Sequence, residues 1–169
     1  MSDLRNERID ELVQRLADQL LSNHIRLAGA ESCTGGGIAQ ALTALAGSSR
    51  WFDSGFVTYS NAAKQKMLCV PSSLFEPGAP GAVSEETVRA MTAGAIANSA
   101  AEMAVAVSGV AGPDGGSEDK PVGTVWIAWQ LREQGRAQRF QFSGDREAVR
   151  TATVEAGLSG LLKLLEKSG

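Results

Sequence analysis

Near the start of the chain, Ile9, Leu12, Val13, Leu16, Leu20 and Leu21 recur at three- and four-residue spacing. That period predicts an amphipathic helix burying one face. Ile25 to Ala30 is a short apolar run that predicts a strand, with Gly35-Gly36-Gly37 as the turn after it. Ile38 to Ala46 reads as a helix closed by Gly47, a residue type that commonly ends helices. Phe52 to Tyr59, rich in aromatic and β-branched residues, predicts a second strand. Asn61 is the expected cap of a short helix reaching Met67. Pro71 to Pro80 reads as a loop, punctuated by Pro77-Gly78 and Pro80-Gly81.

Ser84, followed by Glu85 and Glu86, is a start signal for a helix running to about Ala101, since acids complement the N-terminal dipole. Met103 to Val107 is apolar throughout, as in a strand covered on both faces. Ser108 to Gly123 is glycine- and proline-rich and predicts an extended loop. Thr124 to Leu131 and Arg136 to Phe142 then form an antiparallel hairpin about a turn at Gln134-Gly135. From Arg146 the pattern is helical again, ending in Leu161, Leu162, Leu164 and Leu165. Helices alternating with strands, plus one hairpin, predict a three-layer α/β/α sandwich over a mixed sheet. With no repeat or linker, residues 1–169 are expected to form a single domain.

Composition narrows the class. At 169 residues, with 43% hydrophobic and 21% charged residues, the chain has the balance of a soluble globular domain. Its net charge of -3 offers no field for nucleic acid or an anionic membrane. No apolar stretch approaches the roughly 20 residues that cross a bilayer. Met1-Ser2-Asp3-Leu4-Arg5 is no signal-peptide start, so a cytoplasmic location is expected. Cys33 and Cys69 make neither a disulfide framework nor a paired metal motif and read as reduced thiols.

Four segments are more polar or glycine-rich than strand ends require: Glu31 to Gly36, Thr58 to Lys64, Ser108 to Gly116, and Gly144-Asp145-Arg146. In open α/β sheets ligands gather beyond the carboxyl ends of strands, so one shared site is the economical reading. The turn before the second helix also offers free N–H groups and a positive dipole end, suited to a phosphate or an oxyanion. The single histidine, His24, lies at the wrong end of its strand to serve a catalytic triad. A hydrolase would need another base, and lysine serves where burial lowers its pKa. Lys64 can share a cleft with Asn61 one helical turn away; otherwise it is a solvated helix residue.

Ser32 and Cys33 compete as nucleophiles. Adjacent residues on extended backbone face opposite ways, so one meets the cleft while the other joins the core, and Cys33 suits the core. Thr34 suits a helix cap. Arg146 suits either a phosphate or a surface ion pair. Asp114, Glu118 and Asp119 have no calcium-loop spacing, and no metal site is expected. Trp126 and Trp129 fall on opposite faces of a strand as packing residues.

The runs Ala30 to Gly36, Gly55 to Asn61, Gly81 to Glu85 and Ser108 to Gly116 resemble the CinA C-terminal domain family. Lys120 to Val125 and Gly144-Asp145-Arg146 extend the likeness over about Leu16 to Leu162. Phe75 to Pro80 is richer in proline and glycine than that family's pattern. The stand-alone form of the family is the PncC-type nicotinamide-nucleotide amidase, which converts nicotinamide mononucleotide to nicotinate mononucleotide and ammonia in pyridine-nucleotide salvage. Longer members carry an additional N-terminal domain, which this chain is expected to lack.

The resemblance implies a serine nucleophile at Ser32, supported by Lys64 and Tyr59, with no cofactor. For such a mechanism the expected oxyanion contacts are main-chain N–H groups at Thr34, Gly35 and Gly36, with Tyr59 and Asn61 orienting the pair and the phosphate held at Ser108, Gly109 and Gly112 or at Arg146. The expected partner is the small-molecule substrate, with a homodimer the expected assembly. A non-catalytic pyridine-nucleotide sensor, or an amidase of another small carboxamide, is the alternative.

Overall fold

The structure, a computed structural model, describes residues 2–168. Five strands form one mixed sheet: β1 (Leu27–Glu31), β2 (Phe52–Val57), β3 (Met103–Gly109), β4 (Thr124–Leu131) and β5 (Gln134–Gln141). Their order is β2-β1-β3-β4-β5. The first three are parallel, and β4 and β5 run antiparallel. Five α-helices cover the sheet: α1 (Ser2–Ser22), α2 (Gly37–Ala44), α3 (Asn61–Leu68), α4 (Glu85–Ala97) and α5 (Arg146–Ser168).

Strand alternation sorts side chains by size. Leu27, Met103, Val105, Val107, Ile127 and Trp129 point into a core shared with α1, α2 and α5. Ala28, Ala30, Ala104, Ala106 and Ala128 point the other way, toward Val88, Met91 and Ala95 of α4 and Leu68 of α3. The expected three-layer α/β/α sandwich is thus present, with β3 buried on both faces except at its last residue.

Several boundaries differ from the sequence reading. α2 ends at Ala44 because Leu45 turns extended, and Gly47 (φ 83) opens a short 3-10 turn instead of closing α2. The cap of α3 is Ser60, whose hydroxyl accepts from the Ala63 N–H; Asn61 is already helical. The stretch after Pro71 contains a 3-10 turn, Ser72–Phe75. Ser84 caps α4 as expected, but α4 stops at Ala97, where the Asn98 side chain bonds back to the Gly94 carbonyl. The hairpin turns at Arg132-Glu133, with Arg132 at φ 52, and Gln134-Gly135 belong to β5.

β1 lies between two parallel neighbours, so the chain leaves it to one side for β2 and later returns on the other as β3. That reversal opens a crevice beyond the carboxyl ends of these strands. Glu31 pairs with both Val57 and Val107, so β1 and β2 end level while β3 runs on through Ser108 to Gly109.

Gly94 lets α4 meet the end of α3, because a Cβ there would run into the Leu68 carbonyl. Gly94→Ala is expected to destabilise the protein by about 2 to 3 kcal/mol in urea unfolding. An unchanged midpoint would show that this helix contact is not tight.

Candidate active site

Ser32 immediately follows β1, and its N–H is held by the Val107 carbonyl of β3 at 3.1 Å. Its hydroxyl accepts from Lys64 Nζ at 2.9 Å. Lys64 lies in the first half of α3, and its whole side chain is buried, 1% exposed. The same Nζ donates to the Thr58 carbonyl at 2.8 Å and the Tyr59 carbonyl at 3.3 Å. Those two carbonyls can hold the two hydrogens of a neutral amine, leaving its lone pair for Ser32 Oγ. Burial lowers the Lys64 pKa from 10.5 to about 8, since removing the ammonium from water disfavours its charged form.

Cys33 belongs to the core beside α2 and α5. Burial pushes its thiol up to about 11, so it stays protonated and poorly nucleophilic. Cys69 is exposed and lies at the far end of α3.

Ser32 and Lys64 line a cavity of about 290 Å³. Tyr59 and Asn61 wall it on the β2 side, Ser108 and Gly109 at the end of β3, Gly112 in the loop that follows, and Arg146 from the start of α5. Tyr59 is 61% exposed, and its hydroxyl accepts from Arg146 Nη2 at 3.1 Å. Arg146 Nη1 donates to the Gly112 carbonyl at 2.8 Å. The guanidinium therefore bridges two rims of the cavity with part of its donor fork unspent. Asp145 caps α5 by accepting from the Ala148 N–H, which fixes where Arg146 starts.

Thr34, Gly35 and Gly36 stand apart from this wall. The Gly35 N–H is spent on the Ser32 carbonyl, and Thr34 lines a separate cavity of about 370 Å³ among α1, α2 and α5. Gly35 and Gly36, at φ 58 and 100, make the left-handed turn into α2 that other residue types resist. The first three N–H groups of α2 are already taken: Gly37 donates to the Thr34 carbonyl, and the Glu31 carboxylate accepts from Ile38 and Ala39. Sequence reasoning did not single out that carboxylate, although an acid closing an apolar strand just before a glycine turn is a readable signal. Also unanticipated is Arg150, whose Nη2 donates to the Thr34 carbonyl at 3.1 Å.

Fold and site define a single α/β domain with a buried serine–lysine pair at the point where its strand order reverses. The chain belongs to the CinA C-terminal domain family, whose model matches residues 9–165. It is 58% identical to a nicotinamide-nucleotide amidohydrolase PncC of Pseudomonas putida, over 92% of this chain and 96% of that protein. A protein of the same name from Enterobacter agglomerans is 48% identical over 95% and 97% of the two chains. Among solved structures, the competence/damage inducible protein CihA of Agrobacterium tumefaciens superposes with a TM-score of 0.89 at 43% identity, covering 93% of this chain and 95% of that one.

The lowered Lys64 pKa links stability to pH. Above about pH 8 the folded protein holds this amine neutral while the unfolded chain keeps it charged up to 10.5. The unfolded state binds more protons there, so folding gains as pH rises. Relative to Lys64→Met, the wild type is expected to gain up to about 3 kcal/mol between pH 8 and 10.5. A difference flat with pH in chemical denaturation would contradict the burial of a neutral amine.

Proposed function

We propose that this protein hydrolyses the carboxamide of nicotinamide mononucleotide, giving nicotinate mononucleotide and ammonia. One observation carries the reading: Lys64 Nζ lies 2.9 Å from Ser32 Oγ inside a cavity sized for a small molecule. The substrate class comes from the curated relatives' name, and the chemistry from the pair.

In this reading neutral Lys64 takes the Ser32 proton as Oγ attacks the carboxamide carbon. The resulting ammonium returns the proton to the amide nitrogen, which leaves as ammonia with its bonding electrons. An ester between Ser32 and the nicotinate carbonyl remains. Lys64 then deprotonates a water that attacks this ester, and the proton passes back to Ser32 as the acid departs.

Arg146 directs its unspent N–H groups to the substrate phosphate. Asn61, Ser108, Gly109 and Gly112 shape the remaining wall, and the exposed Tyr59 ring offers a face to the pyridinium. The Tyr59 carbonyl holds one Lys64 hydrogen, so Tyr59 orients the pair through its main chain. The pyridinium charge also disfavours a second cation nearby, which keeps Lys64 neutral once substrate is bound.

Ammonia release from nicotinamide mononucleotide, measured on wild type, Ser32→Ala and Lys64→Ala with folding checked by circular dichroism, tests the reading. Wild-type turnover is expected to rise with pH through about 8 and then level, as Lys64 loses its proton. Either variant is expected to lose at least about 1,000-fold while staying folded. Tight binding without ammonia release would make the domain a sensor of this nucleotide. Turnover surviving in Ser32→Ala would move the nucleophile elsewhere.

A further inference from the structure

Glu31 is wholly buried, 0% exposed, and stands immediately before Ser32. A carboxylate in that position is costly unless its oxygens are satisfied, and here they are. Oε1 accepts from Thr34 Oγ1 and from the Ile38 N–H, both at 2.7 Å, and Oε2 from the Ala39 N–H at 3.0 Å. Gly36, in the cap position of α2, has no side chain to satisfy these amides, so Glu31 caps the helix from the strand that precedes it. The segment from Glu31 to Ala39 is thereby closed on itself, with Ser32 inside the closure.

The main chain of the same residue reaches the other half of the pair. The Glu31 carbonyl accepts from the Thr58 N–H at 2.9 Å, and the Thr58 carbonyl accepts from Lys64 Nζ at 2.8 Å. Glu31 thus fixes the turn that presents Ser32 through its side chain and the backbone that anchors Lys64 through its carbonyl. It is absent from the cavity wall and touches neither the reacting oxygen nor the amine.

We propose that Glu31 is the positioning residue of the serine–lysine pair, holding Ser32 Oγ in line with Lys64 Nζ by gripping the N-terminus of α2. The proposal rests on the reading of Ser32 as nucleophile. It separates binding from chemistry. Losing the grip shifts the nucleophile relative to its base, while the Arg146 and Gly112 side of the cavity, carried by other elements, stays in place.

Glu31→Gln keeps the shape but turns an amide N–H toward the Ala39 N–H, opposing donor to donor. Thr34→Val removes one of the three contacts and guards against a Glu31 variant that fails to fold. Two readouts are used. One is substrate affinity by calorimetry in a Ser32→Ala background against the single-turnover rate of ammonia release. The other is the rate at which a serine-directed fluorophosphonate labels Ser32, which requires no amidase activity.

The expected result for Glu31→Gln is affinity within about 3-fold of the parent, with labelling and single-turnover rates each about 10- to 100-fold slower. The pH midpoint of the rate should not move. Thr34→Val should slow both rates in the same direction and less. Affinity and rate falling in parallel with the folded fraction would overturn the proposal and leave Glu31 a structural cap. Unchanged labelling in folded Glu31→Gln would overturn it while leaving the amidase reading intact. Labelling at Ser32 without ammonia release in the wild type would defeat the amidase reading, with the labelling comparison still deciding the role of Glu31. A wild type showing neither would defeat both.

Discussion

Burying a lysine amine costs free energy, and the crevice around Lys64 is organised about that cost. The amine has three oxygen partners, and the missing solvent around it holds the pKa near 8. A fully solvated lysine would lose its proton only near pH 10.5 and hold almost no neutral amine at pH 8; a lysine among aliphatic groups alone would leave its N–H groups unpaired. Two carbonyls and one hydroxyl lie between those limits. They satisfy the donors of the neutral amine and leave the hydroxyl to meet its lone pair.

This arrangement needs strands in fixed register and turns that do not drift. The register of β1 with β2 and β3 supplies the first. The second comes from the chain's own polar groups: Glu31 within the α2 start, Ser60 at the α3 start, and Asp145 at the α5 start. Each helix entering the crevice is capped by a residue adjacent to the site, so caps and site are one construction. Size sorting across the sheet adds to it, since alanines on one face admit α4 beside α3, which carries Lys64.

Much of this was legible in the sequence. Apolar patterns together with cap, turn and β-propensity signals pointed to every α-helix and strand, and polar strand ends pointed to the crevice because local chemistry there conflicts with simple core packing. The pairing of Ser32 with Lys64 lay within reach of residue types, but its geometry depends on strand order, which no local pattern encodes. Errors fell where two local signals competed. Glycine at Gly135 suggested a turn that Arg132 made instead, and the alanines after Ala97 suggested more helix than the Asn98 side chain allows. The glycine turn before α2 read as an anion site because its free N–H groups were visible in the pattern. Their occupant, a carboxylate from the preceding strand, becomes apparent only when the chain is folded back on itself.

The account stands on Ser32 forming a covalent bond to the substrate. Rapid mixing of the protein with nicotinamide mononucleotide, acid quench and intact-mass measurement tests this most directly. The account predicts a transient mass gain equal to the substrate less ammonia, mapped to the peptide holding Ser32 and absent from Ser32→Ala. Ammonia produced with no such adduct at any quench time, and with a water oxygen entering product in a single turnover of Ser32→Ala, would contradict it.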